Sequence, residues 1–306
     1  MELRMNAPRR ITLLLLMSFW WGLSAHAQLN TERVAAAAAG VASLAFPTEA
    51  SEPGFFSQPR MAIYKPAGDG PFPAMVLQHQ CGGLRSPAGW QNQSMLDWAR
   101  RAVAQGYVAM LVDSLGPRSV DSVCMGPKGG INFFVGARDA YQAAEHLRQQ
   151  RYVDPKRIVW AGYSWGAMVA TLGSSRAVSQ AFEPIARFRA AVAFYPGCFS
   201  IRPAASAPYE IVQTDIDTPL LMLMGDLDTE TPHAPCVERL ETAKAQGAPV
   251  QWHVYPETTH CWDCANLHGF RKVDVRGNQV QYLYRKDNTE DAARRMFAFF
   301  EQALRP

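Results

Sequence analysis

A serine hydroxyl becomes an effective nucleophile only when a base removes its proton, and one serine of this chain sits where that chemistry is usual. Ser164 lies in Gly162-Tyr163-Ser164-Trp165-Gly166, between the apolar run 158–161 and the small-residue segment 167–172. Strand, G-x-S-x-G, helix is the pattern of a nucleophile elbow. Its two glycines permit a turn so tight that the serine is held strained with its hydroxyl exposed. The bland alternative is a surface turn with a capping serine; the strand before and the helix after favour the elbow.

The base needs a carboxylate to orient it, and the chain order expected is Ser, then Asp or Glu, then His. Downstream of Ser164 the apolar run 220–224 enters Gly225-Asp226-Leu227-Asp228-Thr229-Glu230-Thr231. Asp228, three residues after the loop glycine, is the expected acid and Asp226 the reserve; an acid left unused would form the turn or cap a helix. The histidine should follow the last strand, and His260 follows the strand pattern 251–255. Of the other histidines, His26 lies in the leader, His146 in a helix pattern and His253 inside a strand, while His233 and His268 lack the strand context.

Negative charge developing on the substrate oxygen calls for two backbone N–H donors. Trp165, next after the nucleophile, supplies one. The other falls in the loop Gln78-His79-Gln80-Cys81-Gly82-Gly83 after the strand pattern 74–77, at Cys81 by position and Gln80 next. Cys81 is read as a backbone contributor, its sulfur available to Cys124, whose loop follows a strand at the same end of the sheet. Arg118 could hold a substrate carboxylate bidentately, or else form a structural ion pair with Asp113 or Asp121. Tyr163, Trp165 and Gln80 are candidates to line the substrate pocket, with packing of the elbow the competing role for Tyr163 and Trp165. His260-Cys261-Trp262-Asp263-Cys264 with His268 has zinc-like spacing, but a local Cys261–Cys264 disulfide is the preferred reading.

These groups need a scaffold, and the hydrophobic pattern supplies one. Strand patterns at 61–64, 74–77, 107–112, 157–161, 190–194, 220–224 and 251–255 alternate with helix patterns at 91–105, 132–149, 234–246 and 289–304. Continuous apolar strands alternating with helices predict an α/β fold with a mostly parallel central sheet and helices on both faces. Ligands then gather at the carboxyl ends of the strands, where each chemical group above is placed. Thr31 is the expected cap of an alanine-rich helix over 32–44, and 271–276 with 279–284 alternate around Gly277-Asn278 as a hairpin. That hairpin is either a flap beside the site or an edge decoration.

The chain has 306 residues, 48% of them hydrophobic and 19% charged, enough for one sizeable core. Arg9 and Arg10, the apolar run 11–23 and Ala25-His26-Ala27 form an export signal, predicted to be residues 1–27. Residues 28–59 are read as an N-terminal extension and 60–306 as the catalytic domain. Loss of the leader removes Arg4, Arg9, Arg10 and Glu2, leaving 27 basic against 26 acidic side chains, a balance that disfavours nucleic acid as a partner. No later run is long enough to insert stably in a membrane. The six remaining cysteines, an even number in an exported chain, suggest disulfides; their pairing has about fifteen possibilities.

With these motifs in hand the chain resembles the dienelactone hydrolase family of the α/β-hydrolase superfamily, over roughly residues 60–305. Further support comes from Gly106-Tyr107-Val108, the segment 113–118, Arg138-Asp139-Ala140, the segment 153–158, Phe194-Tyr195-Pro196-Gly197, and Tyr255-Pro256 before His260. The founding members carry a cysteine nucleophile and are generally intracellular; this chain has Ser164 and an export signal. The resemblance therefore implies a serine hydrolase of carboxylic esters or lactones, needing no cofactor or metal. Its partner would be a small ester or lactone; a monomer suffices for the chemistry, and the sequence leaves oligomeric state open. The rival readings are an inactive hydrolase fold that binds a ligand, and a serine peptidase acting on small peptides.

Overall fold

The computed structural model describes residues 29–51, 58–204 and 206–305. The expected leader lies outside these residues. The chain opens with helix α1 (Thr31–Ala38) and strands β1 (Ala50–Ser51), β2 (Ala62–Tyr64) and β3 (Phe72–Gln78). Helix α2 (Gln93–Ala104), strand β4 (Val108–Val112), helix α3 (Phe133–Arg148) and strand β5 (Val153–Tyr163) follow. Next come α4 (Trp165–Gly173), α5 (Arg176–Gln180), β6 (Ala191–Phe194) and a small ribbon of β7 (Ser200–Ile201) and β8 (Tyr209–Glu210). The last third holds β9 (Leu220–Gly225), α6 (Ala234–Ala245), β10 (Val250–Tyr255), the hairpin β11 (Arg271–Val273) and β12 (Gln279–Gln281), and α7 (Lys286–Ala303).

Eight strands form one sheet in the order β1-β2-β4-β3-β5-β6-β9-β10, parallel except for the antiparallel pair β2–β4. Side chains alternate across a strand, so each apolar run feeds two cores. Ile158 and Trp160 of β5 enter the core covered by α3, α4 and α6, while Val159, Ala161 and Tyr163 enter the one covered by α2 and α7. Leu220, Met222 and Met224 of β9 divide from Leu221 and Leu223 in the same way. Truncating a fully buried side chain such as Trp160 would cost about 3–5 kcal/mol. This double burial fixes the register of the sheet, and with it the strand ends that carry the site.

The structure revises several expected elements. The N-cap of α1 is Asn30, whose side chain accepts from Arg33 N at 2.8 Å, and the helix ends at Ala38 rather than continuing to 44. Gly40, next after the cap Ala39, takes φ 78° and stops the helix; beyond it Arg138 binds the Ala38 and Val41 carbonyls at 2.7 and 2.8 Å, and Arg118 binds the Ala42 carbonyl at 2.6 Å. The segment taken as an extension also joins the sheet, because Ala50 and Ser51 pair with Ile63 and Tyr64. Strand β5 begins earlier than its apolar run, since Val153 pairs with Phe72 before the register shifts and Ile158 meets Ala74. Helix α5 and the ribbon β7–β8 were not expected. The hairpin is present, but its turn is Asp274-Val275-Arg276-Gly277, closed by Gly277 N donating to Asp274 O at 3.0 Å, and not the two residues Gly277-Asn278.

Candidate active site

The elbow is built by close approach of backbones. Ser164 closes β5 and precedes α4 with φ 51° and ψ −110°, a conformation that costs a non-glycine residue about 1–3 kcal/mol and clusters at functional sites. A side chain at Gly162 would place its Cβ 2.1 Å from the Gly166 carbonyl oxygen. One at Gly166 would stand 2.4 Å from the Gln78 oxygen and 2.7 Å from that of His79. Gly166 thus lets the first turn of α4 lie directly against the loop that follows β3. Among the described residues, neither the Trp165 nor the Cys81 N–H donates to a protein acceptor. Cys81 is also tied by a disulfide to Cys124, and its carbonyl accepts from Val123 N at 2.9 Å.

His79 secures the same loop from behind. Its ring is fully buried, with Nδ1 2.6 Å from the Gln80 carbonyl and Nε2 accepting from Ser114 N at 3.1 Å. Those partners assign the proton to Nδ1. Burial depresses its pKa against the pull of Asp113, so the ring stays neutral.

Three expected residues meet at the carboxyl ends of β5, β9 and β10. Ser164 Oγ lies 3.0 Å from His260 Nε2, and His260 Nδ1 lies 2.7 Å from Asp228 Oδ2. All three are buried. Asp228 is fully satisfied: Oδ1 accepts from Glu230 N at 2.9 Å and Thr231 N at 2.8 Å, and Oδ2 also accepts from Thr231 Oγ1 at 2.7 Å. The reserve acid Asp226 is exposed and accepts from Thr258 N at 3.1 Å, drawing the His260 loop onto the acid loop. Burial lowers the pKa of His260, but Asp228 and then Glu230 outweigh it, so the imidazolium is held above the ordinary histidine value.

Other expected residues are placed elsewhere. The Arg118 guanidinium is paired with Asp139 at 2.6 and 2.8 Å and further bound to the Ser114 and Ala42 carbonyls, so no donor remains for a substrate carboxylate. Neither Asp113 nor Asp121 is its partner: Asp113 caps Leu115 N and Gly116 N, and Asp121 binds Lys128. Tyr163 is fully buried against Trp98 and Phe194, which makes it packing for the elbow and not a pocket wall. The Gln80 carboxamide faces inward to Ser94, Tyr195 and Asn92. Cys261 and Cys264 are joined to each other and Cys198 to Cys236. The first of these bonds occupies the thiols that a zinc site would require, while His268 Nδ1 accepts from Tyr284 N.

Sequence reasoning missed four contributors. Thr231 bridges Asp228 and His260, its Oγ1 lying 3.0 Å from His260 Nδ1; its place three residues after Asp228 was the available signal. Tyr195 packs its ring edgewise on His260 at 4.7 Å and donates to the buried Asp263 at 2.8 Å, which Trp98 Nε1 also contacts at 2.7 Å. Burial raises the Asp263 carboxyl above its usual range. Lys272 and Tyr282 come from the hairpin, which is a flap against the site. Both hold Glu230, an acid that the sequence left to turn formation or helix capping.

A doubly covered parallel sheet with a strained serine between β5 and α4, an acid after β9 and a histidine after β10, defines an α/β-hydrolase. The Dienelactone hydrolase family pattern matches residues 60–304, and the chain belongs to that family. Its enzyme class is carboxylic ester hydrolase. A protein of Escherichia coli O157:H7 named "Putative carboxymethylenebutenolidase" is 24% identical over 272 residues, covering 84% of this chain and 89% of its own. Two solved structures share the fold: a "Putative Dienelactone Hydrolase" of Klebsiella pneumoniae and the propionate-bound esterase Est2 of Thermogutta terrifontis. The first is 21% identical with a TM-score of 0.57, covering 79% of this chain and 93% of its own. The second is 18% identical with a TM-score of 0.56, covering 78% and 87%.

Proposed function

We propose that this enzyme cleaves carboxylic esters or lactones through an acyl-enzyme on Ser164. The observation that carries this is the unbroken relay from Ser164 Oγ to His260 Nε2 at 3.0 Å and from His260 Nδ1 to Asp228 at 2.7 Å. With Nδ1–H donating to Asp228, the free electron pair of His260 is at Nε2, facing the hydroxyl whose proton it takes. Attack on the ester carbonyl moves charge to oxygen, where the Trp165 and Cys81 N–H groups donate. His260 then returns the proton to the leaving alkoxide, and water repeats the sequence to free the acid and restore Ser164.

The committed guanidinium of Arg118 favours substrates recognised without a carboxylate at that position. Residues 1–27 are proposed to be a signal peptide, 28–59 the segment that leads into the sheet, and 60–306 the catalytic unit. The three disulfides support an oxidising compartment outside the cytoplasm. Among the described residues no helix is long and apolar enough to cross a membrane. A fluorophosphonate probe tests the mechanism. Labelling should be stoichiometric in the wild type and absent in Ser164→Ala, with ester turnover reduced by roughly 10³-fold or more in that variant. An inert wild type would favour the ligand-binding alternative.

A further inference from the structure

One carboxylate beside His260 has no part in the relay. Glu230 Oε2 lies 3.8 Å from His260 Nε2, the nitrogen that meets Ser164, while Asp228 holds the opposite nitrogen. Glu230 is clasped by the hairpin: Lys272 Nζ is 2.7 Å from Oε1, and the Tyr282 hydroxyl donates to Oε2 at 2.8 Å. The Lys272 ammonium also stands 5.3 Å from the centre of the Tyr282 ring, and Tyr282 packs 5.5 Å from the His260 ring. Arg276 donates to the Glu230 carbonyl and Thr229 Oγ1 donates to the Gln279 carbonyl at 2.8 Å, so the flap is bound to the acid loop on both sides of this pair.

A charge this close acts on whichever state of the imidazole is charged. The Glu230 side chain is 13% exposed, so solvent screens it only in part. The remaining groups facing His260 are Asp228 and Thr231 from the acid loop, Tyr195 from the end of β6, Ser164 from the elbow, and Asp263 from its own loop. Burial raises the Tyr195 phenol well above its ordinary range and keeps it neutral, so the local balance is set by Asp228, Glu230 and Asp263 against Lys272.

We infer that Glu230 is a positioning residue whose charge, metered by Lys272 of the hairpin, sets the basicity of His260. This rests on the relay proposed above. Removing the Glu230 charge should make the imidazolium easier to deprotonate, and removing the Lys272 charge should make it harder. His260 is the working base only when neutral. The acidic limb of the pH profile should therefore move down by about one pH unit in E230Q and up by several tenths of a unit in K272M. A purely structural role for the clasp predicts that both variants weaken the flap and move the limb alike.

The assay is the second-order rate of fluorophosphonate labelling of Ser164 from pH 5 to 9, with thermal melts of each variant. Opposite displacements in the two variants support the inference. Limbs at the wild-type position, or displaced in one direction, overturn it while leaving the relay intact. A wild type that is not labelled removes both together. Should E230Q fail to fold, K272M decides alone: an upward move supports the inference, and an unmoved or lowered limb rejects it.

Discussion

Gly166→Ala is the sharpest test of how the fold makes the site. The new methyl carbon would stand 2.4 Å from the Gln78 carbonyl oxygen and 2.7 Å from that of His79. Real Cβ atoms stay beyond 3.0 Å, so α4 and the loop after β3 must separate by roughly 0.6–1 Å. Neither side yields easily. The loop is bound by the Cys81–Cys124 bond and by buried His79, and α4 is buried along its whole length. Forcing an extra carbon into such packing costs about 1–3 kcal/mol of stability. The functional loss should be larger than the structural one. The Trp165 N–H moves with α4 and the Cys81 N–H with the loop, so the two proposed donors diverge. A misplacement of about 1 Å, or loss of one donor, lowers kcat by about 100-fold or more, equivalent to about 2.7 kcal/mol. Turnover of a nitrophenyl ester, followed with a thermal melt, reads both effects. Ser164 is joined to Trp165 at the start of α4 and shares its displacement, so fluorophosphonate labelling of the variant should slow together with turnover. A G166A enzyme with wild-type kcat and melting temperature would refute the proposed geometry of the donors.

Two further outcomes are expected. Asp228→Asn should lower kcat by about 10³–10⁴-fold by disturbing the His260 tautomer, whereas Asp226→Asn, at an exposed acid that binds only Thr258 N, should stay within about tenfold of wild type; comparable losses in the two would reject the assignment. Replacing Cys198 and Cys236 by alanine opens a bond spanning 38 residues, and urea denaturation should show a loss of about 3–4 kcal/mol, with little change in kcat because neither sulfur touches the relay.

Much of this was written locally in the sequence. The elbow was legible because its glycines, its apolar strand and its small-residue helix lie within about fifteen consecutive positions. The candidate acid and histidine, Asp228 and His260, stood out because the first follows the apolar run 220–224 and the second the strand pattern 251–255. What failed were side chains whose partners come from distant elements. Nothing local distinguishes an Arg118 aimed at a substrate from one that closes on Asp139 in α3 and on the Ala42 carbonyl. Glu230 likewise reads as a turn former until the hairpin, 42 residues away at Lys272, folds back on it. The end of α1 was misjudged although a local signal was present: Gly40, next after the cap Ala39, takes φ 78°, a left-handed conformation in which a helix stops, and the arginines of two other segments then hold the carbonyls of Ala38, Val41 and Ala42.

Arg138 and Arg118 grip the segment after α1 through the carbonyls of Ala38, Val41 and Ala42, and at Ala42 the side chain itself faces solvent. Main-chain oxygens are common to every amino acid. The docking at residue 42 is consequently divorced from its spelling: that position can drift in identity without disturbing the contact, whereas exchanging either gripping cation would loosen the strap at the carbonyls it holds.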